Sequence, residues 1–130
     1  MPLTPTARES IFGKLKSALE RQCPPMVCLK NKAGVYEIIG NKPVPYGSTK
    51  KIVPGMYFAS VVARKDMVSF YFMPIYYRVE LFAPVAPTLL KSLKGKACFN
   101  FRKVEHVDEK ELKALLATGK RAWKKQQYVE

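Results

Sequence analysis

The residues that could do chemistry are few. His106 is the only histidine, and Glu105, Asp108, Glu109 and Glu111 lie within five residues of it. Carboxylates so placed are the ligands a hard cation prefers, so Glu105, His106, Asp108 and Glu109 form the candidate metal set. Asp108 and Glu111, however, stand where a helix cap and first turn need acidic side chains, and a chain with 23 Lys and Arg against 10 Asp and Glu, net +13, repels cations. Cys23, Cys28 and Cys98 lack zinc-knuckle spacing, and one histidine cannot complete such a site. A Cys–His nucleophile would need the fold to bring distant residues together. The odd cysteine count in apolar settings instead reads as reduced, buried thiols of a cytoplasmic protein. Gly47–Lys51, GSTKK, lacks the upstream glycine and following helix of a phosphate loop. No catalytic set emerges, and the chain reads as a non-enzymatic binding domain.

The positive charge favours anionic partners. Lys91, Lys94, Lys96, Arg102 and Lys103 gather around Phe99 and Phe101, a basic-aromatic mixture that can bind single-stranded nucleic acid if the rings are exposed. Alternation places both rings on a core face, which disfavours that use. Lys113, Lys120, Arg121, Lys124 and Lys125 read as the wet side of a helix.

Gly55–Ala63 and Met67–Tyr77 are apolar runs rich in Val, Phe and Tyr around the charged Arg64, Lys65 and Asp66, which predicts a central β-hairpin. Each is too short to span a bilayer, for which about 18 apolar residues are needed. Period-2 alternation assigns Met56, Phe58, Ser60, Val62, Val68, Phe70 and Phe72 to a core face. Tyr57, Ala59, Val61, Met67, Ser69, Tyr71 and Met73 fall on the second. Tyr57, Tyr71 and Met73, rimmed by Lys96 and Arg102, are the candidate site for an anionic small molecule or an acidic protein partner. A homodimer or the Gly40–Gly55 segment would be the alternative cover for that face.

Elsewhere, Thr6 and Glu9 form a capping box before a helix from Ala7 to Arg21 that Pro24 and Pro25 close off. Met26–Lys30 and Val35–Ile39 form a first hairpin, and the Pro- and Gly-rich Gly40–Gly55 is a loop or irregular edge. Leu89–Lys94 is a short helix stopped by Gly95, Ala97–Lys103 the last strand, and Asp108 caps a final helix with Leu112, Leu115, Leu116, Gly119 and Trp123 as its stripe. This order predicts one α+β domain over 1–130, a two-layer sandwich with an antiparallel sheet packed by the N- and C-terminal helices. Phe12, Leu15, Leu19, Phe58, Phe70, Phe72, Phe99, Phe101, Leu112, Leu115 and Leu116 are the expected core, with 1–6 and 126–130 frayed.

The stretch YFASVVARKDMVSFYFMPIYY, followed by LLKSLKGKACFNFRKVEHVDEKELKALLATG, resembles the YdhG-like family of small bacterial domains. The likeness covers Tyr36 to Lys125, most specifically Phe70–Pro74 (FYFMP) and Leu93–Lys96 (LKGK). It implies no catalytic residues. It does imply the alternative of a frataxin-like intracellular iron chaperone, with iron as cargo. The N-terminal MPLTPTARES shows no apolar signal-peptide core, which agrees with the cytoplasm.

Overall fold

Proline at the first helical position costs no hydrogen bond, so the first helix begins at Pro5, two residues ahead of the predicted start. Thr4, not Thr6, is its cap, its hydroxyl accepting from the Ala7 N–H at 3.1 Å. The computed structural model describes residues 3–130; Met1 and Pro2, part of the end expected to fray, lie outside the described residues. Among the described residues the order is α1 (Pro5–Glu20), β1 (Val27–Lys32), β2 (Val35–Ile39), β3 (Val44–Tyr46), β4 (Lys51–Val53), β5 (Tyr57–Ala63), β6 (Val68–Phe72), α2 (Met73–Tyr77), β7 (Leu93–Lys94), β8 (Cys98–Phe101) and α3 (Glu109–Lys125). Short 3₁₀ turns fall at Val79–Leu81, Leu89–Ser92 and Val104–His106.

The main sheet has the order β1-β2-β5-β6-β8-β7, every neighbouring pair antiparallel. The fold is therefore α+β, with an N-terminal and a C-terminal helix flanking an antiparallel sheet, as the sequence predicts. Residues 40–55 are not a plain loop: β3 and β4 pair into a two-stranded flap. Leu89–Lys94 is not a helix. It makes one 3₁₀ turn and then the edge strand β7, and Gly95, with φ +74°, turns that strand into β8. The second arm of the central hairpin ends at Phe72 instead of Tyr77, because Pro74 starts the single turn of α2.

One irregularity in β5 sets the faces. Ile38 pairs with Ala59 while the next residue, Ile39, pairs with Tyr57, so Phe58 is an extra residue in β5. Such a bulge advances alternation by one. Phe58, Ala59 and Val61 all turn to the core, and Tyr57, Ser60 and Val62 share the opposite face with Ser69 and Tyr71. This corrects the predicted placing of Ala59 and Val61 on the second face and of Ser60 and Val62 in the core.

The core is built on phenylalanine. Six of the seven, Phe58, Phe70, Phe72, Phe82, Phe99 and Phe101, are at most 1% exposed; Phe12, expected among them, is half-buried at the core's margin. Neighbouring rings run from Phe101 through Phe99, Phe70, Phe72 and Phe58 to Trp123 of α3, with centroids 5.5–6.3 Å apart. Burying each Phe contributes about 1.5–3 kcal/mol, so six together match a domain's whole net stability of about 5–15 kcal/mol. Ile11, Leu15 and Leu19 of α1 and Leu112, Leu115 and Leu116 of α3 close this face.

The carboxyl-terminal residues 126–130, expected to fray, run back to the body. The Tyr128 N–H donates to Trp123 O at 2.9 Å, the Glu130 N–H to Asn41 Oδ1 at 2.8 Å, and Val129 is buried.

Two substitutions test this packing. Phe72→Ala should lower stability by about 3–5 kcal/mol through the cavity it leaves. A Cβ at Gly119 would overlap the Phe72 ring, which is fully buried against Phe58, Phe70 and Phe82. Gly119→Ala gains about 1 kcal/mol of helix propensity but meets about 1–3 kcal/mol of overpacking, so urea unfolding should show it no more stable than the parent.

Candidate functional site

The registers lay two rows of side chains across the face away from the helices. One row runs Lys30, Glu37, Ser60, Tyr71, Cys98, Lys94 over six strands, and the next runs Lys32, Val35, Val62, Ser69, Asn100. The middle of the face is polar and ordered by hydrogen bonds. Arg64, at the start of the β5–β6 turn, folds back so that Nε donates to Ser69 Oγ (3.0 Å) and Nη2 to Tyr71 Oη (2.6 Å). Ser69 donates onward to Asn100 Oδ1 at 2.9 Å, and the Tyr57 and Ser60 hydroxyls lie 2.5 Å apart. Ser60 and Ser69 are buried, and these bonds satisfy them. Burial pushes the Tyr57 phenol well above its ordinary value; Glu37 and Tyr71 nearby add to the effect, and the Ser60 hydroxyl works against it.

At the β8 end this face opens into a cleft of about 430 Å³ lined by Thr88, Lys91, Ser92, Lys94, Asn100, Arg102 and His106. Its construction is local. The 3₁₀ turn Leu89–Ser92 presents Lys91 and Ser92, β7 brings Lys94 alongside Cys98, and Asn100 and Arg102 come from β8 and its exit on the outward side. Glu111 holds the turn in place: its Oε1 accepts the Thr88 and Leu89 N–H groups at 2.8 and 3.0 Å, instead of reaching back to its own helix cap. Asp108 does cap α3, accepting from the Glu111 N–H at 2.9 Å. Among the described residues no carboxylate lines this cleft. It presents three permanent positive charges and several hydrogen-bond donors, an arrangement chemically suited to an anion.

The five residues predicted as the site are divided. Tyr57 and Tyr71 do share the open face; Tyr71 lies on β6, next to β8 whose exit carries Arg102 into the cleft, and Tyr57 one strand further away on β5. Met73 does not: it is the first residue of α2 and packs half-buried against the core. Lys96 leans over the Tyr76 ring, 5.4 Å from its centroid, and lines a different, shallow cleft with Ile75 and Val79. Tyr57 is partly covered by the flap, where Tyr46, Val53 and Pro54 with Leu29 and Ile39 form an apolar groove of about 360 Å³ around it. The Gly40–Gly55 segment thus provides part of the cover anticipated for this face. Lys91, Lys94 and Arg102 were visible in the sequence as a cluster, and alternation along the last strand turns Asn100 outward with Arg102; Thr88 and Ser92 carried no signal, because only the 3₁₀ turn and the pairing of β7 with β8 bring them in.

Glu105, His106, Asp108 and Glu109 do not converge. Asp108 is engaged in its cap, Glu109 lies 3.7 Å from Lys14 Nζ, and His106 joins the cationic cleft. Among the described residues no three His, Cys, Asp or Glu side chains are grouped to hold a metal ion. The cysteines are not buried as expected: Cys28 is exposed and Cys23 and Cys98 are half-buried. Burial, followed by the neighbouring Cys28, raises the Cys23 thiol above its ordinary value. Phe99 and Phe101 are fully buried, so neither ring can stack on a base. A second basic groove of about 360 Å³ lies between α1 and α3, where Lys14, Arg21, Lys113 and Lys120 are accompanied by Glu109. No helix among the described residues is long and apolar enough to cross a membrane. Comparison with protein-family models, curated proteins and solved structures finds no match to this chain.

The raised Tyr57 value has a consequence for stability. The folded state holds the Tyr57 proton more tightly than the unfolded state, so this contribution is complete below the ordinary tyrosine value of about 10 and is lost as pH climbs beyond it. Tyr57→Phe should lower stability at neutral pH by about 1 kcal/mol, the worth of the Ser60 hydrogen bond, yet lose less of it than the parent above about pH 10. Melting curves across that range read both effects.

Proposed function

We propose that this protein is a non-enzymatic binding domain whose ligand is an anionic small molecule, seated in the Lys91–Lys94–Arg102–His106 cleft and extending onto the Tyr71 side of the open sheet face. The resemblance to YdhG-like domains is part of this proposal, since it brings no catalytic residues with it. The observation that carries the reading is the charge of the cleft. Two lysines and an arginine converge there with hydroxyl and amide donors, and no lining carboxylate compensates them. At about 4 Å an opposite charge gains roughly 1 kcal/mol in water and about 4 kcal/mol in the partly screened environment of a protein surface. Several such contacts favour an anion over any neutral competitor. The groove between α1 and α3 is less suited, because Glu109 stands in its wall beside Lys14. The cleft volume of about 430 Å³ lies within the range of small-molecule sites, about 300–1,000 Å³. An arginine fork and lysine ammoniums suit phosphate or carboxylate groups.

Pyrophosphate is a suitable probe. A ligand present at about 100 times its dissociation constant raises stability by about 2.7 kcal/mol, readily seen as a rise in melting temperature. Lys94→Ala, Arg102→Ala should reduce this rise to a small remnant, whereas Lys113→Ala, Lys120→Ala should leave it intact. The reverse pattern would transfer the site to the helix groove. Oligonucleotide binding that outcompetes pyrophosphate and falls steeply with salt would replace the small-molecule reading with a nucleic-acid one.

A further inference from the structure

One groove runs against the charge of the chain. The basic cleft at β8, the groove between α1 and α3 and the shallow cleft at Lys96 each have Lys or Arg in their walls. The groove of about 360 Å³ under the flap has neither, and Glu37 is the single charged side chain in its lining. Glu37 stands in the middle of β2, opposite Lys30 of β1 and Ser60 of β5. It is half-buried and forms no ion pair among the described residues, where the pairs are Lys14 with Glu109 and Arg78 with Glu80. Its carboxylate is close enough to the Tyr57 phenol to tighten that group's hold on its proton. Lys30, across the strands from Glu37, and Lys51, across the flap from Tyr46, both fall outside the lining. The other walls are apolar or aromatic, and Leu29 and Tyr46 remain 46% and 44% exposed.

We propose that this groove binds a small organic cation, an ammonium group carried on an apolar body. The ammonium takes the Glu37 carboxylate, which its apolar surroundings leave poorly solvated and without a counter-charge. The Tyr46 and Tyr57 rings line the same groove, and the negative faces of aromatic rings attract a cation. The apolar body covers the open surface of Leu29 and Tyr46. The positive charge elsewhere on the chain does not prevent this, because at physiological ionic strength exposed charges more than about 8 Å apart are largely screened, and the lining decides. An anion finds no positive side chain in this groove and meets the charge of Glu37. A second copy of the chain, the other occupant an apolar groove attracts, would bring a net +13 against +13. The groove shares no residue with the basic cleft at β8, so the two sites stand or fall separately.

The probe is benzylamine, which is protonated at neutral pH, with benzyl alcohol as its neutral and benzoate as its anionic counterpart. Each is titrated into the isotope-labelled full chain and followed by amide chemical shifts. Benzylamine should give saturable shifts concentrated at Leu29, Glu37, Ile39, Val53 and Gly55, bind at least tenfold more tightly than benzyl alcohol, and keep its affinity when pyrophosphate is added. Glu37→Gln, which keeps the shape and removes the charge, should weaken benzylamine at least tenfold and leave benzyl alcohol unchanged, so that lost charge and lost folding are told apart. Tyr46→Ala, at an exposed position, should weaken benzylamine as well. Equal affinity for benzylamine and benzyl alcohol, undiminished benzylamine binding by Glu37→Gln, a preference for benzoate, displacement by pyrophosphate, or shifts that do not saturate would overturn the proposal.

Discussion

One extra residue in β5 decides which side chains meet which. Without the bulge at Phe58, strict alternation would turn Ala59 and Val61 outward and Ser60 and Val62 into the core beside Phe70 and Phe72. With it, Phe58 bridges Phe72 to Trp123 at ring separations of 5.5 and 5.8 Å, and the aromatic series of the sheet is joined to α3. The same shift puts Tyr57 and Ser60 three residues apart on one side, where their hydroxyls meet. A slip of one residue exchanges the two faces of a strand, so the bulge governs both the core and the open face.

Because both long helices lie against the phenylalanine side, the opposite side keeps a polar middle stabilised by its own hydrogen bonds. Arg64, Ser69, Tyr71 and Asn100 form that network across two strand pairs. A charged donor linked to hydroxyls is worth more than neutral pairs, about 1.5–3 kcal/mol, and it holds Asn100 at the mouth of the basic cleft. Glu111 performs the matching service from α3, since it fixes the turn that presents Lys91. The cleft is thus supported from both layers of the fold, which is the condition for a preorganised site.

Much of the architecture was legible in the sequence. Asp108 caps the last helix as its spacing implies, and Phe99 and Phe101 alternate into the core with Cys98, Asn100 and Arg102 outward. The placing of Tyr57 and Tyr71 on one face was legible as well, although the reading of their neighbours Ala59 and Ser60 was not. A bulge is a property of strand pairing, and nothing local in GMYFASVVA marks it. Met73 was misplaced because apolar residues continue past Phe72, so that only Pro74 signals the turn. Lys96 was misplaced because Gly95 reverses the chain and directs it toward Tyr76. The unpartnered indole N–H of Trp123 is beyond any reading of residue type, since only the packing around the end of α3 leaves it without an acceptor among the described residues.

The central claim is that anions are drawn to the β8 cleft and not merely to a diffusely basic surface. Amide chemical-shift mapping of the isotope-labelled protein during a pyrophosphate titration tests it most directly. The account predicts saturable shifts concentrated at Lys91–Lys94 and Asn100–His106, with the amides around Lys14, Arg21, Lys113 and Lys120 unmoved. Small shifts spread over every basic segment, or a maximum in the groove between α1 and α3, would contradict it.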